Sequence, residues 1–246
     1  MRPPISGIAV VVPVHDEQEL LGTCLASIKV ALDHPRVRSL SSTIVVVLDQ
    51  CSDASRDVAA RHLREQDTVV DIASRNVGAA RAAGCEVALT RLQSLGLSSA
   101  SSWLGHTDAD TRVPAWWIAQ HLRHAVAADA VAGLVRVDDW SQHPPGTADR
   151  FERIYEPVRS SQSVRSDRLG HSHVHGANLG VRGDSYLRAG GFPALRCSED
   201  HALWNAIGRN GGSLVASRHL WVTTSGRRIG RAPGGFADTL ATLSPS

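Results

Sequence analysis

Short apolar runs that end in polar, acid-bearing turns recur through the first 137 residues, and this alternation narrows the fold more than any other feature of the chain. Ile8 to Val14 is apolar and mostly β-branched, as expected of a strand buried on both faces of a parallel sheet. Ser41 to Leu48, Thr68 to Ile72, Trp103 to Thr107 and Ala130 to Val137 read as further strands. Between them lie helical patterns: Leu20, Leu21, Leu25, Ile28 and Leu32, then about Ala54 to Leu63, then Asn76 to Leu92. A fourth helix carries Trp117, Ile118, His121 and Leu122, with Pro114 where a first turn tolerates it. Such β-α-β-α order predicts an α/β fold: a Rossmann-like, doubly wound, mostly parallel sheet with helices on both faces and right-handed crossovers. Ligands of such sheets lie beyond the carboxyl ends of the strands. His15 to Glu17, Asp49 to Asp53, Arg75-Asn76 and Asp108 to Asp110 all fall at ends of that kind. One acidic turn is commonplace, but four polar turns on one rim point to a site.

After Asp139 the pattern changes. His143 to Gly146 is a loop, and Thr147 to Gln162 reads as a helix interrupted by Pro157. Ser160 to Ser172 is polar and Arg-rich, and Val174 to Val181 resembles a short strand. Asp184 to Ala189 and a segment opening on Ser198-Glu199-Asp200 are helical, and Leu214 to Ser217 and Leu220 to Thr223 read as two edge strands. An Arg-rich loop and one short helix follow from Ser225. No linker demands a split, so the 246 residues are expected to form one domain.

Composition excludes several function classes. Hydrophobic content of 42% and charged content of 20% suit an ordered globular protein. A net charge of +2 gives no ground for nucleic acid or an anionic membrane as partner. Cys24, Cys51, Cys85 and Cys197 form no C-x-x-C pair, which argues against structural zinc and for reduced thiols. No stretch approaches the ~20 apolar residues of a transmembrane segment, and the first residues lack a signal-peptide pattern. The expected location is cytoplasmic, with a peripheral place at a membrane left open.

The motifs, taken in order, resemble family 2 glycosyltransferases of the GT-A fold, which belong to the nucleotide-diphospho-sugar transferases. Val11-Val12-Pro13-Val14-His15-Asp16-Glu17 resembles that family's opening V-P-x-x-N-E. Val46 to Ser55 resembles V-D-D-G-S-x-D-x-T, with Leu48 in place of the first acid and Gln50-Cys51 in place of Gly-Ser. Asn76 to Gly84 resembles N-x-G-x-x-x-A-R-N-x-G. Thr107-Asp108-Ala109-Asp110 matches D-x-D, and Gly176 to Arg182, Gly190-Gly191-Phe192 and Ser198-Glu199-Asp200 resemble the acceptor-side block ending in E-D. The resemblance spans about residues 8 to 210 and divides the chain into a donor half, about 5–137, and a smaller acceptor half, about 138–246.

What it implies is metal-dependent, inverting transfer of a hexose from a UDP- or GDP-linked donor to an acceptor hydroxyl, the acceptor being a small molecule or lipid-linked. Asp108 and Asp110 would hold Mg²⁺ or Mn²⁺, Asp110 more directly and Asp108 nearer the ribose and the metal waters. GT-A enzymes often complete the metal shell with a late His, and His219 is the candidate. Asp200 is the expected base, with Glu199 beside it as orienting partner or acceptor contact. Pro13, His15, Glu17 and Asp49 are expected to hold ribose and base, and Arg81 to face the diphosphate. Asp53 reads as a helix cap. Arg227, Arg228 and Arg231 either close over the diphosphate or form ordinary basic surface. His171, His173 and His175 alternate, a spacing that in a strand places them on one face and suits zinc; the flanking Gly-Ala-Asn favours acceptor or phosphate contacts instead. Two other functions compete. A nucleotidyltransferase would show a basic Gly-rich loop after the first strand, where this chain is acidic. A binding-only module would have no need of the D-x-D and Glu199-Asp200 that this chain retains.

Overall fold

The computed structural model describes residues 2–160, 173–231 and 234–243, with the backbone alone for 155–160. Eight strands form one sheet in the order β3-β2-β1-β4-β7-β6-β8-β5. They are β1 Gly7–Val14, β2 Ser41–Asp49, β3 Thr68–Ile72, β4 Ser102–His106, β5 Thr111–Arg112, β6 Ala130–Val137, β7 Leu179–Arg182 and β8 Leu214–Thr224. The helices are α1 Leu21–Leu32, α2 Ser55–His62, α3 Val77–Ser94, α4 Trp117–Ala125, α5 Thr147–Ser160, α6 Gly183–Arg188, α7 Glu199–Arg209 and α8 Phe236–Thr242. β3, β2, β1 and β4 run parallel, and β6 runs parallel to β8. β7 is antiparallel to both of its neighbours, β4 and β6, and β5 is antiparallel to β8. The sheet is therefore mixed, and one uninterrupted ladder joins the first 137 residues to the later ones.

Period-two alternation sorts the strand residues onto two helical layers. Ile8, Val10, Val12, Ile44 and Val46 pack with Leu25 and Ile28 of α1, Val58 of α2 and Trp117 and Ile118 of α4. Ala9, Val11, Val45 and Val47 pack with Cys85 and Ala88 of α3, Tyr186 of α6 and Leu203 and Ile207 of α7. The small residues of α3 have a steric reason: a Cβ on Gly84 would overlap Val11 Cγ1, so the helix rests directly on β1. Among the described residues no helix is long and apolar enough to cross a membrane.

Two expectations change in the second half. Val174 to Val181 is not one strand; Gly176–Asn178 form a 3₁₀ turn before β7. The buried Asn178 side chain causes this, because it is spent on the sheet. Its Nδ2 donates to Leu134 O (2.9 Å) and Leu220 O (3.3 Å), and its Oδ1 accepts from Trp117 Nε1 (2.9 Å). The two predicted edge strands are one, β8, with a bulge where Ser217 pairs Gly133 and Trp221 pairs Leu134. The start of α5 at Thr147 matches the sequence reading, while the end expected at Gln162 lies outside the described residues.

Candidate active site

A cavity of about 740 Å³ opens beyond the carboxyl ends of β1, β2 and β4 and is closed on its far side by the start of α7 and the chain after β8. Pro13, His15, Glu17, Asp49, Arg81, Asp108, Asp110, Glu199 and Asp200 all line it. The sequence places these residues up to 187 positions apart, from Pro13 to Asp200, and the sheet brings them together.

The β1 and β2 ends interlock. His15 shares a 2.7 Å hydrogen bond between its Nδ1 and Asp49 O. The Glu17 backbone N–H donates to Ser55 Oγ at 2.9 Å. Asp53 accepts from Ser55 N (3.0 Å) and Gln18 N (2.9 Å), the turn-capping role read from sequence. Asp49 is buried, and its carboxylate accepts the N–H groups of Ser74 (2.7 Å), Arg75 (2.9 Å) and Asn76 (2.8 Å). It thus pins the β3–α3 loop, where Arg75 takes a left-handed φ of 46°. Its first duty is to this loop, and only the remaining lone-pair capacity faces a ligand.

The β4 end and α7 are tied by one buried guanidinium. Arg81 is 1% exposed; its Nη2 donates to Asp108 Oδ1 and its Nε donates to Glu199 Oε1 at 3.1 Å. Glycine is required at 176 because a Cβ there would collide with Arg81 Nη2. Two of the three Arg81 nitrogens are committed to carboxylates within the protein, and the buried Nη1 has no hydrogen-bond partner among the described residues. Burial raises the Glu199 carboxyl above its ordinary range, and the Arg81 charge opposes that shift. Asp200 accepts from Gly176 N and from His201 N, each at 2.7 Å. Ser198, just before α7, holds a left-handed φ of 62°, a strained conformation of the kind that clusters at functional sites.

Asp110 is held by a hydroxyl pair. Thr224 Oγ1 donates to Asp110 Oδ1 at 3.2 Å, and Thr111 Oγ1 donates to Thr224 Oγ1 at 2.9 Å. Arg227 Nη2 lies 2.7 Å from Glu17 Oε2 and 3.0 Å from Asp110 Oδ2. Burial and the Asp108 charge push the Asp110 carboxyl up to about 6, against the pull of Arg227. Burial raises Glu17 as well, again with Arg227 opposing. The donor set at this corner is all carboxylate and hydroxyl oxygen, the chemistry that suits Mg²⁺ or Mn²⁺ rather than a soft metal.

Several expectations land elsewhere. His219 is solvent-exposed in the β8 bulge and does not line the cavity. It stands five residues before Thr224, on the order of 15 Å along a strand rising about 3.3 Å per residue, so it is not beside Asp110. His173 and His175 stack with ring centroids 5.8 Å apart, while His171 lies outside the described residues. Among the described residues, the group of three His, Cys, Asp or Glu side chains with converging donor atoms is Asp16, Cys51 and Asp53, not the histidines. Asp16 and Asp53 there are engaged by backbone N–H groups of the turn. Thr224 was missed in the sequence, where nothing marks a single hydroxyl at a strand end. Phe236, also missed, lines the cavity and meets His175 edge-on at 5.8 Å.

The sequence model of glycosyl transferase family 2 matches residues 9–187. No curated protein matches the sequence. Among solved structures, the Staphylococcus aureus TarS fragment 1–349 is similar at a TM-score of 0.62 and 12% identity, covering 89% of this chain and 60% of that one. The same fragment in complex with UDP-GlcNAc gives 0.61 and 13%, over 96% and 64%. A mannosyltransferase from Pyrobaculum calidifontis, in complex with GDP-Man and Mn²⁺, gives 0.62 and 18%, over 95% and 68%. At these identities the likeness is one of fold, and this chain spans less than two-thirds of the TarS fragments.

Proposed function

The chain belongs to glycosyl transferase family 2, and on that premise we propose that it transfers a hexose from a UDP- or GDP-linked donor to an acceptor hydroxyl with inversion at the anomeric carbon. The observation that carries this reading is the buried Arg81, which holds Asp108 of the β4 turn and Glu199 of α7 on one guanidinium. That link ties the acids of the donor half to the helix that carries Asp200, across one cavity.

Asp108 and Asp110 are the residues that would hold a divalent cation. When bound, that cation supplies positive charge for the diphosphate leaving group. Pro13, His15 and Glu17 form the floor for ribose and base, and Asp49 fixes the loop beside them. His15 fits a hydrogen-bonding role, since its Nδ1 is committed to Asp49 O and its orientation is set. Asp200 acts as base. Its carboxylate takes the proton of the acceptor hydroxyl while the oxygen forms its bond to the anomeric carbon and the bond to diphosphate breaks. The Gly176 and His201 N–H groups fix the orientation of that carboxylate. Glu199 does not take the proton, because it is buried against Arg81; it positions its neighbour and couples it to the donor side.

The test is donor turnover by the purified chain across UDP- and GDP-sugars, with Mg²⁺ or Mn²⁺, followed by acceptor profiling. Asp200→Asn should keep nucleotide affinity within about threefold of the parent and lower transfer at least ~100-fold. If Asp200→Asn instead loses nucleotide binding, Asp200 belongs to the donor subsite and the assignment of the base fails. If no nucleoside diphosphate stabilises the protein with or without metal, the transferase reading fails.

A further inference from the structure

Arg227 is the residue that the family's motifs leave unassigned and that the structure sets most specifically. It arrives 210 residues after Glu17 in sequence, yet a single nitrogen, Nη2, sits between Glu17 Oε2 at 2.7 Å and Asp110 Oδ2 at 3.0 Å. The side chains involved are 15%, 10% and 19% exposed, so this is a contact inside the cavity rather than on open surface. The carboxylates cannot easily turn away: Asp110 Oδ1 is held by Thr224, and the Glu17 backbone is held by Ser55.

The loop that delivers Arg227 is fixed at its root and more lightly held beyond it, where Arg228 N donates to Gln142 Oε1 at 3.3 Å. A Cβ on Gly226 would collide with Asp139 O, and Gly226 O shares a 2.7 Å hydrogen bond with His143 Nε2. From Arg228 to Arg231 the chain is largely exposed, Ile229 by 85%. Arg231 Nε adds a looser approach to Glu17 at 3.9 Å. Among the described residues, the ion-pair partners of the Arg227 guanidinium are these two acids, and both line the cavity.

We propose that Arg227 occupies the cation position of this site in the ligand-free protein, as a latch that a divalent cation must displace from Asp110 before it binds. This rests on the reading of Asp108 and Asp110 as a cation site, and adds that the chain's own guanidinium competes for it. Arg227 Nη2 lies 3.0 Å from Asp110 Oδ2, and a divalent ion on that oxygen would meet the guanidinium charge at close range, so occupancy by either opposes occupancy by the other. Displacement frees residues 227–231 from the cavity wall, so cation entry and release of the loop are one event.

The test is Mn²⁺ binding without nucleotide, followed by electron paramagnetic resonance at pH 7.5, on the parent chain, Arg227→Gln and Arg227→Lys. Thermal unfolding of each variant verifies folding. Arg227→Gln should bind Mn²⁺ at least ~10-fold tighter than the parent, and Arg227→Lys, which keeps the charge, should stay within about threefold of the parent. In the parent chain, Mn²⁺ should also speed backbone hydrogen exchange across 227–231. Equal or weaker Mn²⁺ binding by Arg227→Gln overturns the latch, and so does exchange in 227–231 that Mn²⁺ leaves unchanged or slows. A separate arm measures UDP and GDP binding without and with Mn²⁺. Absence of nucleotide binding both without and with Mn²⁺ counts against the transferase reading, whereas intact nucleotide binding with unchanged Mn²⁺ affinity in Arg227→Gln sinks only the latch.

Discussion

Replacing Arg81 by methionine removes one charge from between two carboxylates while keeping most of the aliphatic volume. Asp108 can turn to solvent, its side chain being 38% exposed, but Glu199 cannot, at 6%. The cost therefore falls on Glu199. Leaving one buried partner uncompensated costs about 3–5 kcal/mol. Glu199 can escape by taking up a proton, which from its ordinary value of 4.5 costs about 1.4 kcal/mol per pH unit, or about 4 kcal/mol at pH 7.5. The expected loss is thus about 3–4 kcal/mol at pH 7.5, and proton uptake caps it near 1.4 kcal/mol at pH 5.5. The sign follows from linkage. A carboxyl raised further in the folded state is satisfied at low pH, and its stability is lost as pH rises through the folded value. Urea unfolding followed by circular dichroism at both pH values measures this. Thermal midpoints should fall by roughly 6–16 °C at pH 7.5, at 2–4 °C per kcal/mol for a chain of this size. Adding Glu199→Gln to the variant should recover most of the loss. A loss under about 1 kcal/mol at pH 7.5, or one that does not shrink at pH 5.5, would refute the claim that Arg81 neutralises a buried Glu199.

Asp49→Asn should cost about 2–3 kcal/mol, because an amide nitrogen would face backbone N–H groups now accepted by a carboxylate; unchanged urea midpoints would contradict this. Gly78→Ala drives a Cβ into Pro193 O, so it should lose about 1–3 kcal/mol and loosen residues 193–195, read as faster hydrogen exchange there. Burial pushes His121 down to about 3, so the folded state stays neutral while the unfolded chain takes a proton below about 6.5. Stability should then fall as pH drops from 6.5 toward 3, by up to about 1.4 kcal/mol per unit from this residue, and His121→Leu should flatten that slope in urea titrations between about pH 6 and 4.5.

The parallel half of the sheet was legible because buried strands announce themselves as apolar runs and their polar ends mark the rim. β3 spans Thr68–Ile72 and β6 spans Ala130–Val137, as the residue pattern predicts. The acceptor side was less legible because its backbone answers to distant partners. Asn178 turns the chain before β7 by bonding to residues 44 and 42 positions away, and no local pattern encodes that. The same holds within the site. Asp108, Asp110, Glu199 and Asp200 stand out as acid pairs at element ends, and all four reach the cavity. Arg81 was visible as a site residue, but not its partners, since a helical arginine looks the same whether it meets solvent or Glu199. His219 misled because a histidine near the end of a strand says nothing about a bulge that turns it outward.

The antiparallel β7 also shapes how the chain can fold. Until Leu179–Arg182 pairs with Trp103–His106, β4 is the open edge of a sheet made of β3, β2, β1 and β4, which is complete by residue 106. That edge is buried and apolar in the finished protein, with Trp103 and Leu104 at 0% exposure. A bare edge of this kind is a template for pairing with another chain. The closing strand is encoded more than 70 residues later and only 4 residues long, so it adds little until β6 flanks it on the other side. Aggregation during refolding should therefore depend on how fast 130–182 docks, and variants that weaken Asn178 or Gly180 should lower soluble yield before they touch the chemistry.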